Sequence, residues 1–135
     1  PFALAHELHH SYWAGHYFER TRPFTLMDYL VFEGRADYFA HSLYPHSLAP
    51  WDSALTDTQF DALWPRLRDE LASTDFRAMR MVMFGDPAHA IPRWAGYSLG
   101  YRLVSQRMQR KPSMDIVAMT AASAAAFMPA KTRSR

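Results

Sequence analysis

The chain has 135 residues, 15.6 kDa, 49% apolar and 21% charged residues, which is the composition of one compact globular domain and excludes a disordered tail or a two-domain chain. Its net charge of +2 rests on a basic tail over 131–135 with Lys131, Arg133 and Arg135; without these three cations the remainder, 1–130, carries −1. With Arg and acids interspersed there, nucleic acid is excluded as a partner. The absence of cysteine excludes disulfides and thiolate zinc sites, and the longest apolar run, Ile116 to Met128, is too short for a transmembrane segment.

In chain order, residues 2 to 14 read as a helix stopped by Gly15. Thr25 with Asp28 forms a capping-box start for a second helix running from Leu26 to Leu43. Thr56 with Gln59 opens a third, which Pro65 should kink or split before it resumes from Arg68 to Ala72. Phe76 to Phe84 reads as helix closed by Gly85, Asp86 to Pro92 as a loop, and Arg93 to Gln109 as helix. Ser113 caps a last helix reaching about Phe127. Alternating strand patterns are nearly absent, so the visible chain is all-α. It begins at Pro1, five residues before its chemically richest stretch, and reads as a trimmed piece of a longer protein.

That stretch is His6-Glu7-Leu8-His9-His10, an H-E-x-x-H pattern. On a helix, His6 and His10 project from one side about a turn apart and can reach a single metal ion. Glu7 beside them is placed as a general base toward metal-activated water. With seven His and four Glu in the chain, chance yields about 0.01 such matches. The second helix offers the missing ligand. Glu33 and Asp37 share an apolar stripe with Leu26, Leu30 and Ala40, and burying two carboxylates there requires cations or a metal. Glu33 is the third ligand, and Asp37 accepts a hydrogen bond from the outer nitrogen of a liganding His; the competing reading has Arg35 or another Arg neutralising both acids. Gly34 suits close approach of the first helix.

His9 reads as packing or as support behind the ligands. His16, His46 and His89 fall in loops, and His41, one turn beyond Asp37, is within reach of the site. Met79, Met81, Met83, Trp13, Phe32 and Phe39 read as core. Gly96 and Gly100, one turn apart, offer a smooth face for a helix or a substrate. Beside them Tyr97 is a candidate oxyanion donor, with Arg93 as the alternative and Tyr101 as a packing residue.

Three blocks, His6 to His10, Leu30 to Asp37, and Trp94 to Tyr101 with Leu103-Val104, resemble a bacterial family of predicted zinc-dependent proteases, domain of unknown function 2268. The resemblance places the family's H-E-x-x-H on His6, Glu7 and His10 and its presumed third ligand on Glu33; Asp37 fits the gluzincin habit of an acid four residues later. It implies a helical, zincin-like catalytic fragment with Zn2+ as cofactor and a peptide or protein as substrate. Two departures stand out: Arg35 occupies a position where an apolar residue is usual, and the sheet that commonly precedes a zincin active helix is not visible. The reading is a zinc metallopeptidase-like hydrolase. Its alternatives are a non-proteolytic zinc-binding module or degenerate protease, and a two-His, one-carboxylate iron site; oligomeric state and compartment are not encoded in any motif.

Overall fold

A computed structural model describes residues 1–129, and the basic tail over 131–135 lies outside the described residues. Six α-helices follow one another: α1 (Phe2–His16), α2 (Leu26–Leu43), α3 (Asp57–Arg68), α4 (Phe76–Phe84), α5 (Ala95–Arg110) and α6 (Ile116–Ala121). Short 3-10 turns occupy Pro87–His89 and Ala124–Phe127. Among the described residues there is no strand, only an isolated bridge between Asp86 and Ile91, and no helix is long and apolar enough to cross a membrane.

The central element is α2, which packs most extensively on α5, then on α1, and also meets α4, α6 and the last 3-10 turn. It starts where a capping box is complete: the Thr25 hydroxyl accepts from the Asp28 amide, and the Asp28 carboxylate accepts from the Thr25 amide. Arg22 holds the same carboxylate through two bonds of 2.9 and 2.8 Å. Leu26, Leu30, Val31 and Ala36 are fully or almost fully buried, with Leu99, Leu103, Val104, Met83, Met119 and Phe127 around them. Because α2 is enclosed on nearly every side, its polar residues at 33, 35 and 37 are buried as well.

Several boundaries differ from the sequence expectation for physical reasons. Helix α1 passes through Gly15, whose surroundings are open, and ends at His16, which therefore lies in a helix rather than a loop. Pro65 does not split α3, which runs unbroken to Arg68, because Phe60, Leu63 and Leu67 bury one face on both sides of the proline; 69–72 are turns rather than resumed helix. Trp94 adopts φ 63, ψ 17, so α5 begins at Ala95 instead of Arg93. The last segment is not one helix from Ser113: Asp115 caps α6, Ala122 is extended, and its carbonyl accepts a bond from Arg35. That break turns Phe127 into the core, where it is wholly buried.

The face opposite Gly34 is also corrected. A side-chain carbon there would lie 2.2 Å from the Gly100 carbonyl oxygen, and one on Gly100 would lie 2.0 Å from that of Leu30. The helix that approaches Gly34 is α5, not α1. Gly96 instead abuts Met83 of α4, so the two glycines of α5 serve two different neighbours.

Candidate metal centre

Helix α1 turns Ala5, His6, His9 and Trp13 inward while Leu4, Leu8 and Tyr12 stay exposed, so it meets α2 largely through imidazoles. His6 Nε2 lies 3.2 Å and His10 Nε2 3.1 Å from the same oxygen, Glu33 Oε2. One ligand atom from each of these three residues falls within 4.8 Å of the others. Ligands about 2.1 Å from a tetrahedral zinc stand about 3.4 Å apart, close to the observed nitrogen–oxygen separations.

Asp37, fully buried, accepts a 2.8 Å bond from His6 Nδ1–H through Oδ1 and a 2.7 Å bond from the Trp51 indole N–H through Oδ2. With Nδ1–H held by Asp37, the nitrogen that His6 turns toward Glu33 is Nε2, the one left for a metal to take in place of its proton. The donor set therefore fits a zinc ion. His10 stacks on Phe32 at 3.9 Å between ring centroids.

The electrostatics follow from the same contacts. Burial works to lower the His6 pKa, but the hydrogen bonds to Asp37 and Glu33 and the two negative charges outweigh it and raise it from 6.5 to about 9. Burial works to raise Glu33, yet its bonds from His10 and His6 hold it below the usual carboxylate range. Burial prevails at Asp37 and leaves its pKa raised despite His6 and Trp51.

Arg35 does not neutralise these acids. It makes no ion pair with Glu33 or Asp37; its guanidinium lies between the rings of Trp13 and Phe127, 5.7 and 5.2 Å from their centroids, and donates to the Ala122 carbonyl. Burial lowers its pKa to about 10.

A cleft of about 700 Å³ opens over the three ligand candidates. Glu7 and Tyr97 both line it. Glu7 is exposed, while Tyr97 is half-buried and its phenol pKa is raised by burial and then by the Glu33 charge. Neither side chain has a hydrogen-bond partner among the described residues. Arg93 points elsewhere, over the Trp94 ring at 5.2 Å, and is not part of the cleft wall. His41 pairs with Asp52 at 3.1 Å rather than joining the ligands, and Asp52 accepts from the Ala49 amide at 2.7 Å, tying down the loop that carries Trp51. His9 is a packing residue: it meets Thr120 Oγ1 at 3.2 Å, and burial with neighbouring positive charge lowers its pKa to about 4. His46 lies in the loop after α2, and His89 lies in the first 3-10 turn.

Trp51 is the residue that sequence reasoning missed. It comes from an irregular segment fourteen positions after Asp37. The signal available was a lone tryptophan between helices, since a buried indole N–H requires an acceptor.

Comparison with known proteins gives a consistent picture. The model of the family described as "Predicted Zn-dependent protease" (DUF2268) matches residues 1–129. Among curated proteins, the uncharacterized protein YjfC of Bacillus subtilis is 28% identical over 119 residues, 82% of this chain and 40% of that protein. The uncharacterized protein YjaZ of the same organism is 29% identical over 108 residues, 76% of this chain and 40% of its own length. The chain thus spans about 40% of the relatives it matches. No solved structure matches it.

Proposed function

Since the chain belongs to the DUF2268 family of predicted Zn-dependent proteases, we propose that it forms the catalytic part of a zinc-dependent, gluzincin-like metallopeptidase that cleaves peptide bonds. The observation that carries this reading is the meeting of His6 Nε2 and His10 Nε2 at one Glu33 oxygen, with Asp37 behind His6 and an open cleft in front.

His6, His10 and Glu33 would hold the ion. When bound, it would polarise the scissile carbonyl and acidify water for attack. Asp37 keeps the His6 ring in place and its Nδ1 protonated, so that Nε2 is available as a ligand. Glu7, in the cleft, accepts a proton from the attacking water and returns it to the leaving amine nitrogen. Tyr97 donates its hydroxyl hydrogen to the oxygen on which negative charge develops; its raised pKa keeps it protonated for that task.

The test is the Glu7→Gln variant in the full-length protein, assayed on a fluorogenic peptide library with chelation and metal-restoration controls. The expected result is retained stoichiometric zinc with loss of hydrolysis of at least about a hundredfold. Full activity in the variant would reject Glu7 as the base. Bound zinc in a wild type that hydrolyses no peptide would favour the non-proteolytic zinc module, and stoichiometric iron after purification without added metal would favour oxygen chemistry.

A further inference from the structure

One wall of the cleft consists of four aromatic rings, each in contact with at least two of the others. Trp51 lies 4.9 Å from Tyr97 and 5.8 Å from Trp94 between centroids, and Phe84 lies 5.7 Å from both Trp94 and Tyr97. The wall adjoins the ligand candidates directly, with Trp51 6.0 Å from the His6 ring. Leu48 and Pro50 extend it, and among the described residues no Lys, Arg or Asp lines the cleft; its anionic side chains are Glu7 and Glu33.

Such a wall has two chemically distinct uses. Aromatic faces bind cations, or they bind apolar side chains. The protein's own guanidinium groups decide between them. Arg80 lies 4.6 Å from the Phe84 centroid and Arg93 5.2 Å from that of Trp94, so the cation-binding capacity of these two rings is already taken up by the protein's own guanidinium groups. A carboxylate would have to leave water for rings bearing only a hydroxyl and an indole N–H.

A second observation marks the wall as more than packing. Trp94 sits at φ 63, in the left-handed region that bulky residues rarely adopt because of its steric cost. This backbone position, held by the Trp94 N–H bond to the Phe84 carbonyl at 3.2 Å, keeps the indole against Phe84 and Tyr97 while only half burying it. A glycine would meet the backbone requirement without strain.

From these contacts we infer that Phe84 and Trp94 form a side-chain subsite selecting substrates with a large uncharged apolar or aromatic residue beside the scissile bond. The inference rests on the peptidase reading for its substrate class, and its test separates the two. The probes are the hydroxamates of acetyl-phenylalanine, acetyl-lysine and acetyl-glutamate, titrated calorimetrically into the zinc-loaded full-length protein. Fluorogenic peptides differing only at the residue flanking the cleaved bond are assayed in parallel.

The phenylalanine hydroxamate binds about tenfold or more tightly than either charged counterpart, and that ratio falls below about threefold in Phe84→Ala and in Trp94→Gly. Equal binding of the three probes, or tighter binding of the lysine probe, overturns the inference. So does a Trp94→Gly variant that loses stability but keeps the wild-type ratio, because that result makes Trp94 a packing residue only. Hydroxamate discrimination without peptide turnover supports the subsite while rejecting the peptidase reading. Turnover without side-chain preference does the reverse.

Discussion

Gly34→Ala tests how the fold positions the ligands. A methyl group at this position would stand 2.2 Å from the Gly100 carbonyl oxygen and 2.3 Å from its carbon, both backbone atoms of a buried helix. Ordinary contact begins near 3.4 Å, so α2 and α5 must separate by about 1.2 Å, and no flexible side chain lies between them to absorb the change. Alanine would otherwise stabilise a helix interior by about 1 kcal/mol relative to glycine. Overpacking of a tight contact costs about 1–3 kcal/mol or more, and moving α5 also strips contact from Leu99, Leu103 and Val104. The expected net loss is about 1–2 kcal/mol in urea unfolding of the metal-free chain. Gly15→Ala is the internal control: among the described residues, nothing beyond its own helix backbone lies within 4 Å of a side-chain carbon there, so the same substitution leaves stability unchanged or raises it. Because Gly34 and Gly100 guard one crossing, Gly34→Ala and Gly100→Ala together should cost less than their sum. Unchanged or increased stability in Gly34→Ala, or full additivity of the pair, would refute the close-crossing argument.

Asp37→Asn is expected to weaken zinc binding about 10–100-fold in competition with a chromophoric chelator, because the His6 tautomer loses its anionic anchor; an unchanged affinity would leave Asp37 a bystander. Trp51→Phe removes one of the two bonds to Asp37 and should weaken zinc by a smaller factor, while unfolding stability falls by about 1 kcal/mol. Arg35→Met should leave stability equal or improved in thermal unfolding, since it replaces a buried cation that pairs with no acid among the described residues with an apolar chain between Trp13 and Phe127; a loss above about 2 kcal/mol would contradict this. His6, raised to about 9 from 6.5, stabilises the metal-free fold fully below about pH 6.5 and loses that contribution as pH rises through 9. Zinc must displace the same proton, so its affinity should climb about tenfold per pH unit over that window while metal-free stability declines; parallel trends would sink the assignment.

Local chemistry was legible in the sequence where it acts over one helical turn. The capping boxes at Thr25 and Thr56, the His6/His10 pair, and the Glu33/Asp37 spacing all follow from which groups a helix brings together, and each is found in the structure. What depended on distant segments was not legible. The partner of Gly34 is decided by which helix crosses α2, and Gly100 lies 66 positions away. The interruption at Ala122 reflects the demand of a buried Arg35 for a carbonyl, which no local propensity in an alanine-rich run encodes. Trp51 reaches Asp37 from a loop that the His41–Asp52 pair ties back to α2, a contact between segments that no local pattern encodes.

Anomalous diffraction at the zinc edge, from crystals of the chain loaded with one equivalent of zinc, addresses the site most directly. A single strong peak bonded to His6 Nε2, His10 Nε2 and a Glu33 carboxylate oxygen, at about 2.0–2.2 Å from each, is the result predicted here. A peak on another pair, such as His41 with Asp52, or none between α1 and α2, would contradict it.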